Sequence, residues 1–246
     1  MKRTAYFFSD AHLGSNPTGV SVNREMRLIQ WLHEIREEAS HVVILGDLFE
    51  FWMEYRDYVG RHHFHLLRKL AELVDLGVEV HYIAGNHDFR LDSFFPGTLG
   101  VQVHRSLRLQ LQGHNIFLLH GDGLAASDWK YRWASRILHS EWNVRLFRLL
   151  HPDWGMSLAR LVGSTSRNAN AHKAPAMIEY DETAKKILRR EGCDALLHGH
   201  THVQEIRTLP EGLHIHTGQW FEKLQYVSLQ DGVFQLHQLE SNSNNI

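Results

Sequence analysis

Five short blocks of this 246-residue chain carry side chains able to bind a metal: Asp10-Ala11-His12, Gly46-Asp47, Gly85-Asn86-His87-Asp88, His120-Gly121-Asp122 and His198-Gly199-His200-Thr201-His202. Asp10, His12, Asp47, Asn86, His120, His200 and His202 form a candidate ligand set for two ions. Two ions about 3.5–4 Å apart need a ligand that touches both, and a carboxylate can give one oxygen to each. Asp47 is the candidate bridge. Imidazole and carboxylate together suit Mn²⁺, Fe²⁺, Zn²⁺ or Co²⁺ better than Ca²⁺, and the lack of thiolates argues against a structural zinc site. Any one block could be a turn or a strand-end histidine. Five in this order, with glycines that let backbone approach a ligand, point jointly to metal chemistry.

The blocks need a scaffold that brings them together. Most follow a strand-like apolar run, over 4–8, 42–45, 78–84, 116–119 and 195–197, and the carboxyl ends of neighbouring strands are where an α/β sheet gathers functional groups. Helical periodicity links the first runs. Residues 23–39 place Met26, Ile29, Trp31, Leu32 and Ile35 on one face, and residues 63–76 do so with Phe64, Leu67, Leu70, Leu73 and Val74 before Gly77. Residues 103–111 and 115–119, separated by Gly113, read as a hairpin, and further strands are expected over 213–217, 224–228 and 233–239. The expected fold is α/β, a two-sheet sandwich flanked by helices, in a single domain over 1–240 with a polar tail over 241–246.

Residues 127–173 differ from both flanks. They hold four of the seven tryptophans, and eight basic residues against three acidic ones give a local balance of +5 in a chain of net charge −2. Trp129, Trp133 and Ile137, then Trp142, Leu146 and Leu149, recur at helical spacing. A helical cap beside the metals is expected, with most of its tryptophans packed as core. Its apolar and cationic residues suit an anionic partner with apolar chains, or an anionic bilayer surface. Aromatics at helical period favour packing over base stacking, so no nucleic-acid partner is expected.

The apolar fraction of 43% supports a full core. The single cysteine, Cys193, precludes an intramolecular disulfide and fits a reducing compartment. No signal-peptide core opens the chain and no run approaches the roughly 20 apolar residues of a spanning helix. The expectation is a cytoplasmic protein, with peripheral contact at the inner face of the inner membrane.

Block by block, these motifs resemble the calcineurin-like metallophosphoesterase superfamily, whose pattern of Asp-x-His, Gly-Asp, Gly-Asn-His-Asp/Glu, His and Gly-His-x-His is intact here. The resemblance implies that Asp10, His12, Asp47 and His202 hold one ion and that Asp47, Asn86, His120 and His200 hold the other, with His87 facing the substrate. Gly46-Asp47-Leu48-Phe49-Glu50-Phe51-Trp52, the Gly123-Leu124 that follows His120 with Asp128 and Tyr131 beyond, and Gly218-Gln219-Trp220 narrow it further. They resemble the branch that cleaves the pyrophosphate of UDP-2,3-diacylglucosamine to UMP and 2,3-diacylglucosamine 1-phosphate (lipid X) on the way to lipid A, typically with Mn²⁺. That likeness implies substrate contacts from Tyr131, Ser166 and Lys173, with Asn170 and Asp128 positioning the segment. Two positions depart from the best-known proteobacterial form. His87 stands where that form has an arginine, and Gly163 stands where it has another, three residues before the serine matched by Ser166; Arg160 or Arg167 is expected to take over that second role.

The expected chemistry is in-line attack on phosphorus by water activated between two ions. His87 would stabilise or protonate the leaving oxygen, Asp88 would orient that ring or support the ligands, and Asp122 would back His120 or simply shape a turn. Two alternatives are a related phosphoesterase acting on nucleotide phosphodiesters or phosphoproteins, and a non-catalytic binding module. The apolar cap speaks against the first, and the complete ligand set against the second.

Overall fold

A computed structural model of the chain describes residues 3–14, 20–55 (20–22 as backbone only), 58–91, 93–125, 137–138, 140–151, 154–155 and 177–240. Strand β1 (Thr4–Phe8) is buried along its whole length, with Tyr6 and Phe8 in one apolar core and Ala5 and Phe7 in another. A strand covered on both faces is expected to be apolar, and from Ala5 to Phe8 this one is.

β1 lies inside a six-stranded sheet. With β2 (Ala39–Ile44), β4 (Glu79–Ile83) and β6 (Gln102–His104) it forms a parallel run, and β12 (Gln225–Gln230) and β13 (Val233–Gln238) extend the other side antiparallel. The second sheet has five strands in the order β10 (Gln204–Leu209), β11 (Gly212–Thr217), β9 (Ala195–His198), β8 (His114–Leu119) and β7 (Ser106–Leu111). Its β8, β9 and β11 are parallel to one another. Phe7, Val43 and Leu45 of the first sheet pack with Ile116, Leu118, Leu197 and Ile215 of the second. Helices α1 (Val20–Glu34) and α2 (Phe64–Asp75) cover the outer face of the first sheet through Leu28, Trp31, Leu32, Leu66 and Leu70, and the helix Met177–Glu191 covers the second through Ala184, Ile187 and Leu188. A small parallel pair, β3 (Trp52–Met53) and β5 (Asp88–Arg90), sits beside the ligand loops. This is the expected α/β two-sheet sandwich flanked by helices.

Four details correct the sequence reading. The run 103–111 is not one strand: β6 ends at His104 in the first sheet and β7 starts at Ser106 in the second, so the chain changes layers at Arg105. The first helix ends at Glu34 and passes through a 3-10 turn, Ile35–Glu37, because Ala39 already pairs in β2 beside Thr4. Leu224 caps the short helix Trp220–Lys223 in a left-handed conformation and does not open the following strand. Within the insertion, Ser140 caps the helix Glu141–Arg148 through Asn143 N–H as a helix start requires, but Trp142 and Trp154 are 79% and 72% exposed and are not core. The helix Met177–Glu191 and strand Gln204–Leu209 went unread.

Candidate metal centre

All five blocks lie just past strand ends that face one way. Asp10 follows β1, Asp47 follows β2, Asn86 follows β4, His120 follows β8 and His200 follows β9. Beyond the strands the loops stay paired: Asp10 N–H donates to the Gly46 carbonyl at 3.1 Å and His12 N–H to the Asp47 carbonyl at 3.0 Å.

Five of the seven candidate ligands are left-handed non-glycine residues: Asp10 (φ 52°), His12 (43°), Asp47 (53°), His200 (63°) and His202 (57°). Each such conformation costs about 1–2 kcal/mol for an L-residue. Clustering of that strain is characteristic of sites whose geometry matters more than local stability. Gly46, at φ +89°, and Gly85 allow the tightest approaches, since a Cβ would run into the His120 ring at the first and the Asp47 carboxylate at the second.

The side chains converge as two groups that meet at Asp47. Asp10, His12 and His202 bring one donor atom each within 4.8 Å of one another, and so do Asp47, His120 and His200. His202 Nε2 is 3.4 Å from Asp10 Oδ1, and His12 Nε2 lies 3.8 Å from Asp10 Oδ1 and 4.0 Å from Asp47 Oδ2. On the other side, His120 Nε2 is 3.3 Å from Asp47 Oδ2 and 3.0 Å from Asn86 Oδ1. His87 Nε2 stands 3.9 Å from the same Asp47 oxygen.

The next layer of contacts orients these groups. His120 Nδ1–H donates to the Leu45 carbonyl at 2.7 Å and His87 Nδ1–H to the Glu50 carbonyl at 2.6 Å, which turns each Nε2 inward. His12 Nδ1 lies 3.5 Å from the Glu50 carboxylate. Asp47 Oδ1 accepts the His87 N–H at 2.9 Å, and Asp10 Oδ2 accepts the His200 N–H at 2.9 Å and the Ser9 hydroxyl. Asp88 does not reach for the His87 ring. Its Oδ2 accepts the backbone N–H groups of Gly85 and Asp47, and its Oδ1 accepts the Tyr82 hydroxyl at 2.6 Å. Asp122 is half-buried two residues past His120, near enough for its charge to act on the His120 and His200 rings.

Electrostatics favour charged carboxylates facing imidazole. Burial opposes ionisation of Asp47, yet His120, His87 and His12 around it hold its carboxyl well below the usual range. Asp10 behaves alike: burial is outweighed by His202 and His120, and its carboxyl drops to about 2. Burial lowers His12 to about 3. Burial also pushes Asp88 up, to about 6, with the neighbouring Asp47 charge adding to it.

Asp10 Oδ1 is buried with no hydrogen-bond partner among the described residues. An ionised, buried oxygen whose nearest nitrogen, His202 Nε2, stands 3.4 Å away is poorly satisfied and fits a cation. The mixed imidazole, carboxylate and amide donor set fits divalent transition ions.

The helix Glu141–Arg148 sits against the segments that follow two of these loops. Arg148 donates to the Glu54 carbonyl at 2.9 and 2.7 Å, Phe147 packs on Phe51 at 5.5 Å, and Arg90 pairs with Glu141 at 2.6 Å. The expected substrate residues Asp128, Tyr131, Ser166, Arg167, Asn170 and Lys173 lie outside the described residues. Sequence reading missed Ser9, Tyr82 and the role of Glu50; none carries a pattern of its own, and only their partners mark them.

Histidine and aspartate groups that could hold metal, meeting at one carboxylate at the strand ends of a two-sheet sandwich, are the kind of site a metallophosphoesterase uses. A family model described as calcineurin-like phosphoesterase matches residues 4–204, and the chain belongs to that family. Among similar proteins, the UDP-2,3-diacylglucosamine hydrolase of Aeromonas salmonicida is 30% identical over 238 residues, 94% of this chain and 92% of the relative. The protein of the same name from Actinobacillus succinogenes is 29% identical over 88% of this chain and 92% of its own length. That of Porphyromonas gingivalis is 44% identical over 123 residues, a match spanning 50% of this chain and 47% of the relative.

Proposed function

We propose that the protein hydrolyses the pyrophosphate of UDP-2,3-diacylglucosamine, releasing UMP and 2,3-diacylglucosamine 1-phosphate, with two divalent ions held around Asp47. The carrying observation is that one buried carboxylate stands between both ligand groups, with His120 Nε2 at 3.3 Å and His12 Nε2 at 4.0 Å from the same oxygen. The substrate follows from relatives of that printed name matched over nearly the full chain.

One ion is assigned to Asp10, His12, Asp47 and His202, and the other to Asp47, Asn86, His120 and His200; Mn²⁺ is among the ions that suit this mixed oxygen and imidazole set. When bound, such a pair supplies Lewis acidity towards phosphoryl oxygens and acidifies water. The chain's own groups supply orientation. As the imidazolium, the form that the Asp47 carboxylate favours against burial, His87 keeps Nδ1–H on the Glu50 carbonyl and presents Nε2–H to the leaving oxygen. Asp88 holds the Asp47 and Gly85 loops together.

Sugar and phosphate contacts are assigned to Tyr131, Ser166, Asn170, Lys173, Asp128 and Arg167 on the resemblance. Exposed Trp142, Leu146 and Leu149 next to Arg145 suit acyl chains and peripheral contact with an anionic membrane from the cytoplasm. No helix among the described residues is long and apolar enough to cross a membrane.

The test is UMP release from this substrate by chelator-stripped protein resupplied with Mn²⁺, beside Asp47→Ala. Metal-dependent release that is lost in the variant is expected. Cleavage of a simple aryl phosphodiester without UMP release would overturn the substrate assignment and leave the metal site standing.

A further inference from the structure

Behind the ligand loops, β9 and β11 set three more histidines side by side, and all of His198, His214 and His216 are fully buried. One nitrogen from each ring lies within 4.8 Å of the others. Their ring centroids are 5.0, 4.4 and 4.3 Å apart.

Hydrogen bonding fixes how two of these rings are protonated. His198 Nδ1 is 2.9 Å from the Gly199 carbonyl, and His214 Nδ1 is 2.8 Å from the Asp181 carboxylate. A carbonyl and a carboxylate only accept, so both Nδ1 atoms carry hydrogen and each neutral ring keeps its lone pair on Nε2. Those two Nε2 atoms face each other at 2.9 Å. Two lone pairs at that distance repel unless a cation lies between them. The third ring adds to the demand: His216 Nδ1 meets the Thr201 hydroxyl at 3.1 Å, while its Nε2 is buried without a hydrogen-bond partner among the described residues. A single extra proton could bridge His198 and His214 but would leave His216 unsatisfied. It would also place an imidazolium where burial disfavours one. Burial lowers both His214 and His216, the latter to about 3.

We propose that His198, His214 and His216 form a third metal site, distinct from the pair at Asp47, which holds one zinc-class divalent ion through three imidazole nitrogens. A tetrahedral ion about 2.0–2.1 Å from each nitrogen sets them roughly 3.3 Å apart, and such three-ligand sites are completed by a water. The present nitrogens, one pair at 2.9 Å and all three within 4.8 Å, bracket that spacing. Three neutral imidazoles without a carboxylate ligand suit Zn²⁺, Co²⁺, Ni²⁺ or Cu²⁺ and disfavour Mn²⁺ and Mg²⁺. The Asp181–His214 hydrogen bond is the outer support that metal-ligating histidines usually have, and Arg207 pairs with the same carboxylate. His198 is two residues before His200, and Thr201, bonded to His216, separates His200 from His202. The ion therefore acts as a positioning element that fastens the loop from which both project.

The test uses the full chain, chelator-stripped and resupplied with Co²⁺, and needs no substrate. Wild type should take up three ions per chain with the intense visible absorption of tetrahedral Co²⁺, and His216→Gln should take up two and lose that band. Because a buried histidine variant can fail to fold, anomalous diffraction from zinc-soaked wild-type crystals gives a second reading, with a peak expected between the His198 and His214 rings. Two ions per chain in wild type with no such peak would overturn the proposal. In folded His216→Gln, Mn²⁺ affinity at the Asp47 pair should fall about 10-fold or more; unchanged affinity would overturn the positioning role.

Discussion

The backbone N–H of Asp47 donates to the buried carboxylate of Asp88 at 3.1 Å, and through that bond the loop carrying the proposed bridge is tied to the loop carrying Asn86. The same Asp88 oxygen takes the Gly85 N–H at 2.9 Å, and its other oxygen takes the Tyr82 hydroxyl. Asp88 would thus act on the proposed metals through backbone.

Asp88→Ala should therefore leave three donors unpaired, two of them buried. The expected loss is about 3–5 kcal/mol of stability, together with a 10- to 100-fold weaker hold on metal. Urea unfolding and metal titration check both. Tyr82→Phe, which removes one hydroxyl and leaves both backbone bonds in place, should cost about 1 kcal/mol and keep the metal affinity.

Gly46→Ala is expected to damage the site more than its size suggests. The residue sits at φ +89° and the added methyl would meet His120, whose Nδ1–H holds the Leu45 carbonyl. A loss of at least about 1 kcal/mol follows from the backbone alone, and displacement of His120 should lower metal affinity by a further 10-fold or more. Calorimetric metal titration of the variant reads this directly.

Much of this arrangement was legible in the sequence because ligand blocks fall at strand ends, where apolar runs such as 4–8 stop abruptly at Asp10. The left-handed turns at Asp10, His12, Asp47, His200 and His202 were not, since nothing in an aspartate or histidine announces a positive φ. Nor was the change of sheet at Arg105, where a single alternating run serves two layers. The helix Met177–Glu191 had a signal, with Tyr180, Ala184, Ile187 and Leu188 buried at helical spacing. The exposed Trp142 and Trp154 had none, because an apolar stripe does not say whether anything covers it. His214 and His216 read as ordinary alternation in a strand until β9 placed His198 beside them.

Stability should fall in mild acid through a further histidine group within the first sheet. His41, His81 and His104 sit on adjacent strands, with His81 Nδ1 3.3 Å from His104 Nε2. Burial lowers all three below the ordinary range, His81 to about 4. The unfolded chain, with histidine near about 6.5, then binds more protons than the folded one between those values. The stabilisation is present above pH 6.5, is lost as pH falls towards 4, and levels off once folded His81 also protonates. Urea midpoints at pH 7 and pH 5 should differ less in His81→Gln than in wild type; equal differences would contradict this origin.

The proposed bridge at Asp47 is reached most directly by electron paramagnetic resonance of protein loaded with two Mn²⁺ per chain. Ions about 3.5–4 Å apart across Asp47 should give an exchange-coupled spectrum, replaced in Asp47→Ala by the signal of isolated ions or by loss of binding. Two fully bound but uncoupled Mn²⁺ ions in the wild-type protein would contradict a bridge at Asp47.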